Sequence, residues 1–182
     1  MCTDDPMSLT AATTVQIKHR LAGKLPASEI KVFRSRDYKA IRELCVDPKI
    51  FPLISDDFHV DPKAWQVPQN EHIIYLLASD EKGPFGFGIF HPINLACWSG
   101  HFGFLPRGYG ADARKSFQRM LQWMWENTTA QKVVGEIVRE NVLAIRFARS
   151  VGFEMYGVNK KSFLRGGVLR DQLCFGIVKP GK

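Results

Sequence analysis

No run of about 18 apolar residues occurs in the chain, so no segment of it is long enough to cross a membrane as a helix. The start lacks a basic stretch followed by an apolar one, so a secretory leader is not expected. Cysteine is sparse: Cys2, Cys45, Cys97 and Cys174 lie far apart, with no C-x-x-C pair. Reduced thiols in a cytoplasmic protein are therefore expected rather than disulfides. His19, His59, His72, His91 and His101 lack metal-ligand spacing with one another or with the cysteines, so no metal site is expected. Internal repeats and low-complexity tracts are missing. The sequon Asn127-Thr128-Thr129 carries no meaning without secretion.

What is present suits one domain. The chain has 182 residues, 45% of them hydrophobic, which is enough for a full core. Residues 1–28 read as an extension rich in Thr, Ala and Ser, and residues 29–182 as the domain. The net charge of +7 is concentrated late in the sequence. From Asn159 onward six basic residues face one acid, a local net of +5. An anionic partner would use such a patch, but no nucleic-acid motif accompanies it. A solvated basic edge is the expectation, and nucleic acid is not an expected partner.

Periodicity places the elements. A short strand is expected near Ile30–Phe33, then a helix carrying Tyr38, Ile41, Leu44 and Cys45. Pro48 and Pro52 limit a further short helix. Strands at 72–79 and 85–90 flank a hairpin-like connection, and a third strand covers 95–105. Phe117, Leu121 and Met124 make the stripe of a helix over 111–127. A strand at 132–138 follows. Asn141 then suits the N-cap of a helix buried through Ala144, Phe147, Ala148 and Val151, with Gly152 as its stop. Two closing strands surround a basic loop, "NKKSFLRGG". The unit 95–138 demands a right-handed parallel crossover, and the hairpins demand antiparallel pairing. The fold class is α/β with a mixed sheet.

Two motifs carry a resemblance. The first is Arg107-Gly108-Tyr109-Gly110-Ala111-Asp112, set against R/Q-x-x-G-x-G/A. The second is Asn141-Val142-Leu143-Ala144 followed by Gly152-Phe153. Their order around a crossover helix resembles the GNAT superfamily of N-acetyltransferases over about residues 30–178. Within it, "GHFGFLPRGYGADARKSFQRMLQWMWENT" and Gly167-Val168-Leu169-Arg170-Asp171 look most like a branch carried by bacteriophages. The resemblance implies a GNAT-like sheet: mixed, mostly antiparallel, with a central parallel strand-helix-strand crossover and helices on both faces. It also implies acetyl-CoA as the cofactor. Phe104, Leu105, Arg107, Gly108, Tyr109, Gly110, Ala111, Asn141 and Phe147 are the residues it places there, with Arg114 and Lys115 adding charge. A helix N-terminus after glycines offers free N–H groups for a pyrophosphate.

The chain departs from the family pattern twice. Asp112 stands where the family has Gly or Ala, and Ala148 where many members have an acid-donating Tyr. If 95–105 alternates, Cys97, Ser99, His101 and Gly103 share one face. His101 is the titratable group there, with an ordinary pKa near 6.5 that suits a general base. Glu136 on the neighbouring strand is a weaker candidate, and Asp56-Asp57 reads as an acidic turn near the acceptor side. The expected activity is acetyl transfer to an amine of a protein or small molecule. The alternative is a non-catalytic phage assembly or virion protein on the same fold, with phage structural proteins as partners. Host cytoplasm or virion would be the respective location. Exposed sheet edges and the extension are compatible with a homo-oligomer.

Overall fold

A computed structural model describes residues 29–181, so the extension expected at 1–28 lies outside the described residues. The elements are β1 (Lys31–Arg34), α1 (Tyr38–Cys45), α2 (Phe51–Ile54), β2 (Ile74–Asp80), β3 (Gly83–Pro92) and β4 (Cys97–Phe104). After a 3₁₀ turn at Pro106–Gly108 come α3 (Ala111–Asn127), β5 (Lys132–Val138), α4 (Val142–Ser150), β6 (Glu154–Arg165) and β7 (Val168–Val178). The seven strands form one sheet in the order β1-β2-β3-β4-β5-β7-β6. Among the described residues only β4 and β5 pair in parallel, and every other neighbour is antiparallel. The mixed sheet with its central parallel crossover is as expected.

Alternation in β2 shows how the sheet divides the core. Ile74, Leu76 and Ala78 pack with α3 and α4, while Tyr75 and Leu77 pack with α1 on the opposite face. The stripe expected on α3 is buried as read, through Phe117, Met120, Leu121 and Met124. Asn141 caps α4: its side-chain oxygen accepts the Ala144 N–H at 3.1 Å, a contact worth about 1 kcal/mol. Among the described residues no helix is long and apolar enough to cross a membrane.

One expectation needs correcting. The segment "NKKSFLRGG" is not a loop. Residues up to Arg165 continue β6, and only Gly166 and Gly167 turn, at φ +60° and +71°. Two successive left-handed residues make the tight hairpin that matches strand twist. A bulge between Asn159 and Phe163, with Lys161 at φ +50°, breaks the alternation a strand would otherwise display. β6 is an edge strand, so Lys160, Lys161 and Arg165 also blunt an exposed edge against unwanted pairing.

Candidate active site

The central feature is a place where the sheet stops pairing. β4 and β5 are in register only at Cys97↔Lys132, Trp98↔Val133 and Ser99↔Val134. Among the described residues, β4 pairs with β3 alone beyond Ser99, and β5 with β7 alone beyond Val134. The two parallel strands therefore splay toward their C-terminal ends. At the apex the strands are still close, for a Cβ on Gly135 would lie 3.2 Å from the Gly100 carbonyl.

That carbonyl also gives the strand's phase. Gly100 turns its main-chain groups toward β5, whereas Cys97 and Leu105 bond toward β3, through Ile93 N–H and Phe85 C=O. Main-chain direction alternates along a strand, so the N–H of Phe102 faces the gap. The Phe102 ring lies on the α3 side, 4.6 Å from Phe117 and 5.2 Å from Phe147 between centroids. Phe104 and Phe147 are 5.6 Å apart in the same aromatic group, so α4 closes that side of the gap.

At the wide end of the gap lies the start of α3. Gly110 precedes the helix at φ +85° and ψ −124°, a conformation essentially restricted to glycine. Among the described residues, the N–H groups of Gly110, Ala111, Asp112 and Ala113 have no hydrogen-bond partner. They form a cluster of donors at the positive end of a 17-residue helix. The Asp112 carboxylate is exposed and does not fold back to cap them, so the donors stay open despite the acid in the first turn. Arg114 and Lys115 follow on the exposed helix surface.

Arg107 behaves differently from the expectation. Its guanidinium pairs with Asp80, donates to the carbonyls of Gly83 (2.7 Å) and Pro84 (3.0 Å), and lies over the Phe85 ring. It latches the turn to the β2–β3 hairpin. Phe85 is the residue that sequence reasoning missed. A register shift lets it leave the β2 pairing and pack beneath Gly108, where an added Cβ would meet its ring at 2.3 Å. Leu105 bridges both core clusters, and Tyr109 is half-exposed.

His101 stands two residues past the apex on the face toward α1 and α2, as alternation requires. It is exposed to solvent, yet protein crowds the ring and removes part of its hydration. His91 stacks on it at 5.7 Å and 19°. Lost hydration first, and the second imidazole next, push its pKa below the usual 6.5 and leave it neutral at pH 7. The β3–β4 register, which sets His91 opposite Ser99, brings it here.

Further along this face, Glu136 accepts from Asn159 Nδ2 at 3.3 Å and from the Cys174 thiol at 3.9 Å. Tyr156 lies against Lys132, whose Nζ is 4.6 Å from the ring centre. Partial burial and then Cys174, Glu136 and Cys97 push the phenol's pKa up, so it stays protonated. Ala148 is buried in the core and offers no proton donor. Two surface hollows, about 260 Å³ beside Tyr38 and Tyr75 and about 600 Å³ between β1 and α3, share no residue with the gap.

Family models and curated proteins give no match to the chain. Solved structures do. A spermidine N-acetyltransferase from Vibrio cholerae, in complex with CoA and spermine, aligns at a TM-score of 0.68 and 16% identity, covering 84% of this chain and 96% of that one. A ribosomal-protein-S5-alanine acetyltransferase from Vibrio fischeri aligns at 0.62 and 13%, covering 83% and 94%. A ribosomal-protein-alanine N-acetyltransferase from Brucella melitensis aligns at 0.62 and 17%, covering 82% and 99%. The fold is the GNAT fold. Identities this low carry the GNAT architecture and not a particular activity, and they do not support the bacteriophage-carried branch expected above.

Proposed function

We propose that the chain is an acetyl-CoA-dependent N-acetyltransferase acting on an amine. The observation that carries this reading is the splay of β4 from β5 beside four open N–H groups at 110–113. The splay offers a narrow arm a route through the sheet, and the helix terminus suits a pyrophosphate at the end of that route. Backbone donors of Gly110 to Ala113 would hold the phosphates, with Arg114 and Lys115 supplying charge. Phe104, Leu105 and Phe147 would flank the arm, near Asn141 and the half-exposed Tyr109. Bound there, acetyl-CoA supplies an acetyl group activated as a thioester. The relatives of known acceptor support an amine as the second substrate.

His101 then acts as the base. As a neutral imidazole on the face opposite α3 and α4, it can take a proton from an amine entering on its side. The Phe102 N–H facing the gap is a donor for a carbonyl oxygen that gains charge as the amine adds. Tyr156 supplies a protonated phenol on the same face as His101.

Binding tests the reading most simply. Acetyl-CoA at about a hundred times its Kd is expected to stabilise the fold by about 2.7 kcal/mol, seen as a rise in melting temperature. No rise at millimolar concentration would sink the proposal. Arg107 provides a contrast. Arg107→Gln is expected to cost about 1 kcal/mol of stability by breaking the latch to Asp80. Affinity for acetyl-CoA, measured by calorimetry, should stay within about twofold because backbone donors do the binding. A tenfold loss of affinity at unchanged stability would return Arg107 to the phosphate site.

A further inference from the structure

Two histidines lie side by side on the face where the base stands, and the proposed chemistry uses only one of them. In the β3–β4 pairing His101 stands opposite Ile89, and His91 opposite Ser99. The two histidines are therefore diagonal neighbours on one face of the sheet, a spacing that aromatic and long side chains span. Their ring centres are 5.7 Å apart and their planes differ by 19°. His101 is open to solvent and His91 partly so. His59 and His72 are placed differently: one lies 3.4 Å from the Asp56 carboxylate, the other 3.7 Å from that of Glu71. Among the described residues no carboxylate forms such a pair with His91 or His101.

This separation suits a shared ion. A metal bonded at about 2.0–2.1 Å to one nitrogen of each ring spans ring centres up to about 6.4 Å apart. Rings 5.7 Å apart can therefore close on one ion by turning about their side-chain bonds. Ligand type narrows the choice of ion. Imidazole suits zinc, copper and nickel, whereas magnesium and calcium demand oxygen ligands. Among the described residues no third His, Cys, Asp or Glu completes a cluster, so water fills the other coordination positions. An open site of this kind exchanges its ion, unlike a closed structural one. Sequence spacing gives no sign of the pair, because the register of two strands makes it.

We propose that His91 and His101 chelate a divalent transition ion of the zinc and copper class, and that the bound ion switches acetyl transfer off. The second half of this inference rests on the acetyltransferase reading of the gap. A neutral imidazole has one nitrogen with a free lone pair, and that lone pair takes either a proton or an ion. While the ion holds it, His101 cannot accept the proton of the amine. His91 thereby gains a role that the transfer itself does not require. The backbone donors at 110–113 belong to the start of α3, so acetyl-CoA binding does not depend on the ion.

The test reads binding and turnover separately. Zinc chloride is titrated into the metal-free protein, and the ring proton signals of His91 and His101 are followed by NMR. Each signal is assigned by its loss in the corresponding glutamine variant. Both rings should respond over the same range of zinc, and magnesium at the same concentrations should move neither. In His91→Gln the zinc needed to move the His101 signal should rise at least about tenfold, because losing even an outer-shell partner of a ligand costs about 10- to 100-fold in affinity. His101→Gln, read on the His91 signal, gives the same comparison if the first variant folds poorly. In parallel, the acetylated product of propylamine and acetyl-CoA is measured by mass spectrometry. Zinc should lower its formation over the range seen by NMR, and a chelator should restore it. His91→Gln should need at least about tenfold more zinc for the same loss. Rings that respond independently, or a His101 response unchanged in His91→Gln, overturn the chelate. Inhibition by zinc that is unchanged in His91→Gln puts the ion elsewhere and overturns the switch. A chelate without turnover on any amine overturns the transferase reading and leaves the metal site standing.

Discussion

Replacing His101 with alanine is expected to lower turnover about 10²- to 10⁴-fold while acetyl-CoA still raises the melting temperature. The reason is the division of labour in the gap. The donors at 110–113 are backbone groups at the start of α3, and the imidazole lies on β4 on the other face of the sheet. Removing it leaves those donors untouched. Full turnover in the variant would remove His101 as base and move attention to Glu136, on the same face. A fall in both binding and turnover would mean that the ring shapes the site rather than moves a proton.

The pH dependence has a definite sign. His101 has a folded pKa below 6.5, from lost hydration and from His91. The base is therefore competent at pH 7, and the proton NMR signal of its ring, assigned by its loss in the alanine variant, should titrate with a midpoint below 6.5. Stability follows the opposite course from that of a paired histidine. As pH falls through about 6.5 the unfolded chain takes up a proton that the folded ring refuses, so this group's contribution declines with acidification. The decline levels off once pH passes below the folded pKa. Replacing His91 removes one of the two causes and should move the NMR midpoint back toward 6.5. A midpoint at or above 6.5 in the intact protein would contradict the crowding described around this ring.

Local rules carried much of the fold. The stripe of Phe117, Leu121 and Met124 located α3 because a buried helix face repeats every 3.6 residues, and Asn141 marked α4 because only a few side chains cap well. The same rules failed where structure depends on partners far along the chain. The motif and its charge place Arg107 with the phosphates, and no local signal announces the carboxylate it pairs with, Asp80, 27 residues away. Asp57 looked like a solvated turn, and its partners Gly166 and Gly167 are 109 and 110 residues away. Only the second half of β6, from Asn159 to Arg165, reads as a loop, because the bulge at Lys161 and the exposure of an edge strand erase the two-residue alternation there. The splay itself has no side-chain signature. It exists because pairing ends after Ser99 and Val134, which is a fact about two backbones.

Phe117→Ala is expected to cost about 3–5 kcal/mol, a large part of the stability of a domain of this size. The ring is fully buried and meets three others: Phe102 at 4.6 Å, Phe147 at 5.8 Å and Phe153 at 5.8 Å between centroids. Those rings come from β4, from α4 and from the residue just before β6, so one side chain ties the crossover helix to the β4 wall of the gap and to the helix that closes its side. The cavity left by alanine cannot close without moving a strand or a helix. A urea melt should show a lower midpoint with an unchanged slope, and the melting temperature should fall by roughly 10 °C. Phe117→Leu keeps most of the volume and should cost under about 1.5 kcal/mol. A loss below about 1 kcal/mol in the alanine variant would mean that the aromatic group repacks freely and does not set the gap. Because α3 begins six residues earlier with its donors still in place, bound acetyl-CoA should recover part of the lost stability. His101→Ala should show the reverse pattern, near-native melting with turnover lost. The two variants thus separate the rings that hold the gap open from the imidazole that works inside it.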